Sequence, residues 1–289
     1  MPALELSELE ALSPVFRGKA GNAFANALME FTGVAKVNRQ YDAICQYEGV
    51  EFANALLRDL GIDYAVGNPE RLEQLPEGPF ITVSNHPNGH VDGVALVDLF
   101  GHRRGDYKVM VNKILAHFKT LQPSFITVTP TGSERTAPTA ESISGVRLAL
   151  AHIREGHPLG LFPSGAVSDY IVRERRIRDR EWQEPIVKFI RKAGVPVVPV
   201  RFFDRNSRFY YGLGLIDWRV RLMRLCWEMF NKKGKPMRIG IGPTLSPEEL
   251  KACDSVEKLG ERLRSSVYDM PLPEHWAHRT ELHPTVGVM

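Results

Sequence analysis

The chain has 289 residues, of which 43% are hydrophobic, 25% charged and 9% aromatic, a balance that fits a globular protein and excludes disordered, collagen-like and fibrous classes. Its 37 Lys and Arg stand against 34 Asp and Glu for a net charge of +3, and no recognised binding module accompanies its basic runs, so no nucleic-acid partner is expected. Cys45, Cys226 and Cys253 are odd in number and far apart, which offers neither a disulfide framework nor a zinc site and fits a reducing compartment.

No stretch approaches the roughly 20 apolar residues of a membrane span. Met1 is followed by acidic residues rather than a basic and then apolar leader. A cytoplasmic chain, peripheral on the inner face of the cell membrane if it meets one, is the expectation. Residues 1–70 read as an N-terminal helical segment, with apolar positions three and four apart in Ala20, Phe24, Leu28 and Phe31, again in Tyr41, Ile44 and Tyr47, and in Phe52 and Leu56 beside Leu57. Gly67-Asn68-Pro69 ends that block.

From there the texture is α/β. Short β-branched runs stand at Phe80–Val83, Lys108–Val111, Phe125–Val128, Leu159–Phe162, Val195–Val200 and Met237–Ile241, with helical patterns at Ala140–Ile153 and Trp182–Ala193 between some of them. That alternation predicts a mostly parallel central sheet flanked by helices over residues 71–270. Leu250–Tyr268 reads as a closing helix, and 271–289 as an irregular C-terminal tail.

Ligands of parallel sheets bind beyond the carboxyl ends of the strands. Two strand exits carry chemistry. The first, Ser84-Asn85-His86-Pro87-Asn88-Gly89-His90-Val91-Asp92-Gly93, holds two histidines and an aspartate before an apolar helix. A histidine held by a carboxylate can take a proton from an attacking hydroxyl or amine, because the carboxylate fixes the tautomer and stabilises the imidazolium. His86 with Asp92 is the preferred pair, with a turn at Gly89 bringing Asp92 back. His90 with Asp92 competes, and Asp92 as a plain helix cap is the alternative. The second exit is Phe162-Pro163-Ser164-Gly165, whose small residues let backbone amides approach a ligand. Ser164 lacks the Gly-x-Ser-x-Gly elbow of a serine hydrolase.

Together with Val195-Pro196-Val197-Val198-Pro199-Val200, these exits resemble the glycerolipid (lysophosphatidic acid) acyltransferase family, most closely its hemolysin-like or ornithine-lipid acyltransferase branch. The resemblance covers about Gly78 to Pro243. It departs from the family in five rather than four residues between His86 and Asp92, in Ser164 where the family carries Glu, and in the lack of an Arg in Phe125–Val128. It implies acyl transfer from an acyl carrier protein or coenzyme A thioester to the hydroxyl of a lysolipid, phospholipid or aminolipid. His86 is then the general base and Asp92 its orienting partner, with Asn85, Phe162, Pro163, Ser164 and Gly165 lining the acceptor pocket. The thioester is already activated, so no cofactor and no metal is called for. N-acylation to a lyso-aminolipid such as lyso-ornithine lipid, and a noncatalytic lipid or carrier-binding module, are the alternatives.

Trp218-Arg219-Val220-Arg221-Leu222-Met223-Arg224-Leu225-Cys226-Trp227-Glu228-Met229-Phe230 mixes aromatics and arginines as an interfacial helix does. Trp218, Arg219, Arg221, Arg224 and Trp227 are therefore expected to dock on a membrane lipid surface; a packed helix with its arginines in water is the alternative. Residues 217–235 hold six Lys and Arg against two acids, a charge that anionic headgroups attract. A second basic run, Arg173 to Arg180, reads as a solvated face or a seat for an acidic carrier protein.

Overall fold

The computed structural model describes residues 13–112, 115, 118–128 and 140–283, so 1–12 of the first predicted segment and 284–289 of the last lie outside it. Three helices open the chain: α1 (Gly18–Thr32), α2 (Val34–Ile44) and α3 (Gly49–Asp59). Helix α3 buries Phe52, Ala53, Leu56 and Leu57, the positions whose spacing marks it as amphipathic.

The core is an eight-stranded sheet. Its strands are β1 (Ala65–Gly67), β2 (Ile81–Ser84), β3 (Lys108–Asn112), β4 (Phe125–Val128), β5 (Leu159–Leu161), β8 (Val197–Phe202), β9 (Arg238–Ile241) and β10 (Trp276–His278), and β6 (Asp169–Ile171) pairs with β7 (Arg176–Arg178) in a separate hairpin. The order is β10-β1-β9-β8-β2-β5-β3-β4, parallel except where β8 meets β9 and β1 meets β10. Each predicted run from Phe80 to Ile241 overlaps one of these strands, with bounds that differ by two residues or fewer at either end.

Helices cover both faces. On one, α3 and the central α4 (His90–Gly101) pack with Phe80, Val198 and Ile239. On the other, α5 (Ala140–Arg154), α6 (Glu184–Ala193) and α11 (Val256–Tyr268) cover Ile81, Leu159 and Val197. Strands buried on both faces read as continuous apolar runs, which is why they stood out. Helix α4 is buried from Val91 to Gly101, including its two aspartates, Asp92 and Asp98.

Three sequence expectations need correction. The segment 1–70 is not helical throughout, because Ala65–Gly67 forms β1 beside β9. The tail 271–289 is not irregular throughout: Trp276–His278 pairs antiparallel with β1, followed by α12 (Arg279–Leu282). Strands of three residues are too short to show a period, and only partners distant in sequence define them. The closing helix is two helices, α10 (Pro247–Lys251) and α11, each started by its own serine cap, Ser246 and Ser255.

Tail and core are joined by charge. Buried Asp98 accepts from Tyr64 Oη at 2.7 Å and from Arg279 Nε at 2.7 Å, and Arg279 Nη2 also reaches the Asn54 carbonyl at 3.0 Å.

Candidate active site

The two strand exits, about seventy residues apart in sequence, meet because β2 and β5 are parallel neighbours with Val83 opposite Leu161. The chain leaves both strands at one level. The His86 ring stacks on Phe162 with centroids 4.1 Å apart, and His86 Nδ1 lies 3.1 Å from Asp92 Oδ2. Gly89 makes the turn between them at φ +69°, where a Cβ would also stand 2.7 Å from Leu225 Cδ1.

Asp92 is fully buried in the first turn of α4. Its Oδ2 also accepts from Asn88 N at 2.8 Å, and Oδ1 accepts from Asn88 Nδ2 at 2.8 Å. The plain cap reading does not hold, because Gly89 is the N-cap and Asp92 stands at the third helical position; its carboxylate instead ties down Asn88 in the preceding loop and holds the His86 ring. His90 takes no part in this bonding. Burial pushes its imidazole down to about 4, with His86 adding to the shift, so it is neutral at working pH.

The main chain of the loop is clamped as well. His86 N donates to Asp179 Oδ1 at 3.2 Å, and Ser168 N donates to His86 O at 2.9 Å. Burial pushes the Asp179 carboxyl up, although hydrogen bonds from Ser168 and His86 oppose the shift. Tyr211 Oη, on α7 (Arg208–Ile216), donates to Pro87 O at 2.8 Å.

Of the residues expected to line an acceptor pocket, Phe162 stacks on the His86 ring. Asn85 gives its carboxamide to the end of β8, donating to Phe202 O at 2.8 Å and accepting from Phe202 N at 2.8 Å. Ser164 is buried, its Oγ donating to Ala166 O at 2.8 Å and its carbonyl accepting from Gln183 Nε2 at 3.3 Å. The Pro163 carbonyl accepts from Gln183 N at 2.9 Å. Gly165 takes φ +65°, and a Cβ there would stand 2.2 Å from Gln183 Nε2. The side chains of Asn85 and Ser164 thus bond within the protein, Asn85 to the end of β8 and Ser164 within its own turn.

Sequence reasoning missed Lys232. Its buried ammonium donates to Asn88 Oδ1 and, at 2.7 Å, to Arg205 O, completing a chain Lys232-Asn88-Asp92-His86. Burial pushes Lys232 down to about 8 against the carboxylates of Asp92, Glu228 and Asp204, which oppose the shift, while Lys235 adds to it. Lys232→Met is expected to lower kcat by about 10–100-fold, since a hydrogen bond involving a charged group contributes about 1.5–3 kcal/mol. In the parent, Lys232 loses its proton as pH rises through about 8, so activity is expected to fall there. That alkaline limb should be absent from a pH–rate profile of the variant. A limb of unchanged position would show that Lys232 does not act on the pair.

The expected docking segment is two helices, α8 (Trp218–Met223) and α9 (Leu225–Phe230), and its side chains divide. Trp218 is 53% exposed and Arg219 is exposed, with the guanidinium over the indole. Arg221 corrects the expectation: it is buried, ion-paired with Asp169, and donates to Ser168 O at 3.2 Å. Arg224 is half-buried between the rings of Phe209 and Trp227, and Trp227 Nε1 donates to Phe31 O at 2.9 Å, fastening α9 to α1.

Among the described residues, Asp98, His102 and His283 form one group of metal-capable side chains with ligand atoms within 4.8 Å of one another. Asp98 there is committed to Arg279 and Tyr64. The group is not part of the His86 bonding network.

Two curated lyso-glycine lipid O-acyltransferases are similar: that of Bacteroides thetaiotaomicron is 28% identical over 229 residues, covering 77% of this chain and 80% of that protein. That of Phocaeicola vulgatus is 29% identical over 230 residues, covering 77% and 78%. The crystal structure of the 1-acyl-sn-glycerophosphate (LPA) acyltransferase PlsC from Thermotoga maritima aligns with a TM-score of 0.47 at 16% identity, over 85% of this chain and 87% of that one. The acyltransferase family profile matches residues 26–271, a span that runs from α1 past α11 and takes in the His86 loop, the Phe162 turn and Lys232. On that match the chain belongs to the acyltransferase family and is an acyl-transferring enzyme.

Proposed function

We propose that this enzyme moves a fatty acyl group from an acyl carrier protein or coenzyme A thioester to the hydroxyl of a lysolipid, working at the inner face of the cell membrane. The observation that carries the reading is the His86–Asp92 contact of 3.1 Å at the carboxyl end of β2. With Nδ1 facing the carboxylate, the ring's proton belongs on Nδ1 and the lone pair on Nε2; this tautomer follows from the bonding pattern. His86 Nε2 takes the proton of the acceptor hydroxyl as its oxygen bonds to the thioester carbonyl carbon. The carbon–sulfur bond then breaks, and the imidazolium returns the proton to the departing thiolate. Asp92 stabilises the imidazolium between these steps.

The relatives' names support O-acylation and a lysolipid carrying an amino acid headgroup. The test is thiol release and lipid mass spectrometry with purified protein, acyl donors of both kinds, and a panel of lysolipids and free amino acids. New ester-linked product from a lysolipid is expected. Amide formation alone would overturn O-acylation, and intact donors throughout would overturn the whole reading.

A lipid acceptor requires a route to a membrane. No helix among the described residues is long and apolar enough to cross one. The end of α7 and the start of α8 instead expose Leu215, Ile216 (80% exposed) and Trp218, next to Arg219. Such a surface suits insertion at headgroup depth, and each cation near an anionic bilayer adds about 1 kcal/mol. The double substitution Ile216→Asp, Trp218→Asp is expected to abolish co-sedimentation with phosphatidylglycerol vesicles, with turnover of a short-chain, water-soluble acceptor unchanged. Undiminished vesicle binding would remove this surface from the proposal.

A further inference from the structure

A cavity of about 280 Å³ lies beside the catalytic loop at the carboxyl end of β8. Asn85 and Pro87, the chain neighbours of His86 on either side, form part of its wall. Four arginines line it: Arg176 and Arg178 from β7, Arg201 at the end of β8, and Arg205 just beyond.

The carboxylates nearby leave much of this charge unmatched. Of the two aspartates on the wall, Asp204 holds Arg238 through both oxygens, at 3.0 and 2.8 Å. The other, Asp269, forms no ion pair within 4 Å among the described residues, but its charge acts on Arg201 and offsets part of that guanidinium. Glu174 pairs with Arg176 at 2.5 Å and stands 3.8 Å from Arg178. Arg201 donates to main-chain carbonyls, those of Tyr268 and, at 2.7 Å, Met270. The Arg178 guanidinium lies over the Tyr268 ring, 4.7 Å from its centroid, and its Nε is buried with no acceptor among the described residues. Tyr268 therefore holds two of the cavity's guanidinium groups, Arg178 against its ring and Arg201 through its carbonyl, with Arg264 also over the ring at 5.5 Å.

Planar guanidinium forks held in a concave wall match the oxygens of phosphate and carboxylate, and a buried donor without an acceptor favours a ligand that brings one. We propose that this cavity is a subsite for an oxyanion group, phosphate or carboxylate, carried by one of the two substrates. The assignment of that group to a substrate rests on the acyl transfer proposed above. The donor supplies such a group in the phosphate of its pantetheine arm, and an acceptor lipid supplies one in its headgroup. Seated here, the group lies against the backbone on both sides of His86 and fixes the position of the rest of its molecule relative to the base.

The first arm of the test needs no turnover. Inorganic phosphate titrated into the purified protein by calorimetry should bind saturably, and Arg201→Gln and Arg205→Gln should each weaken it by about tenfold or more, the loss of one charge-assisted bond. Arg205 is exposed, so its variant probes the site even if the Arg201 variant is misfolded. No phosphate binding, or binding unchanged in a folded variant, overturns the subsite. The second arm measures KM for each substrate in the Arg205 variant. A rise confined to the donor assigns the group to the pantetheine phosphate, and one confined to the acceptor assigns it to the headgroup; no rise in either overturns a substrate role. Phosphate binding through these arginines in a protein that transfers no acyl group overturns the acyl-transfer reading and leaves the anion site standing.

Discussion

Replacing His86 with alanine is expected to lower kcat for acyl transfer by about 10²–10⁴-fold, the usual contribution of a positioned acid–base group. The imidazole side chain is 17% exposed, stacks on Phe162 and bonds Asp92, so some loss of stability is expected alongside the loss of rate and must be measured separately. Asp92→Asn should cost activity on a similar scale for a different reason. An amide in place of the carboxylate can present its NH2 to Nδ1, which favours the tautomer with the proton on Nε2, where a base needs a lone pair. It also places a second amide against the Asn88 donors, which now meet Asp92 at 2.8 Å. Steady-state rates with thioester and lysolipid, read beside thermal melts, separate loss of the base from loss of the fold. Parental turnover in folded His86→Ala protein would remove His86 from the mechanism.

The largest effect on stability is expected at Arg279. Removing one partner of a buried ion pair leaves an uncompensated charge and costs about 3–5 kcal/mol. In Arg279→Leu that charge is Asp98, fully buried in α4 and left with Tyr64 Oη and the more distant His102. Arg279 directly follows β10, so the same substitution is expected to loosen the β10–β1 edge. Urea titrations of the parent and Arg279→Leu measure the loss, and adding Asp98→Asn to the variant should recover part of it. A loss below about 1 kcal/mol, the scale of a surface pair, would show that Asp98 does not depend on Arg279.

What the sequence reveals and what it hides follow from the distance over which each feature is encoded. Strands β2, β3, β4, β5, β8 and β9 stand out because burial on both faces gives them continuous apolar runs. The His86–Asp92 contact is legible because six positions and one glycine turn encode it. Lys232 is not, because it meets Asn88 across 144 positions and in sequence looks like one more cation in a basic run. Arg221 misleads in the same way: its partner Asp169 lies 52 positions away, and in sequence it is indistinguishable from exposed Arg219. Strands β1 and β10 are defined by each other and by β9, with no period of their own.

The segment from α7 to Lys232 touches the His86 loop at three successive places. Tyr211 bonds to Pro87, Leu225 packs against Gly89, and Lys232 bonds to Asn88. The same segment carries Ile216 and Trp218 on its outer side. If those two side chains enter a bilayer as proposed, these three ties would set the height of His86 above it. On the docking proposed above, the enzyme would sort acceptors by how far their hydroxyl rises from the bilayer, as a caliper set to one opening sorts by size.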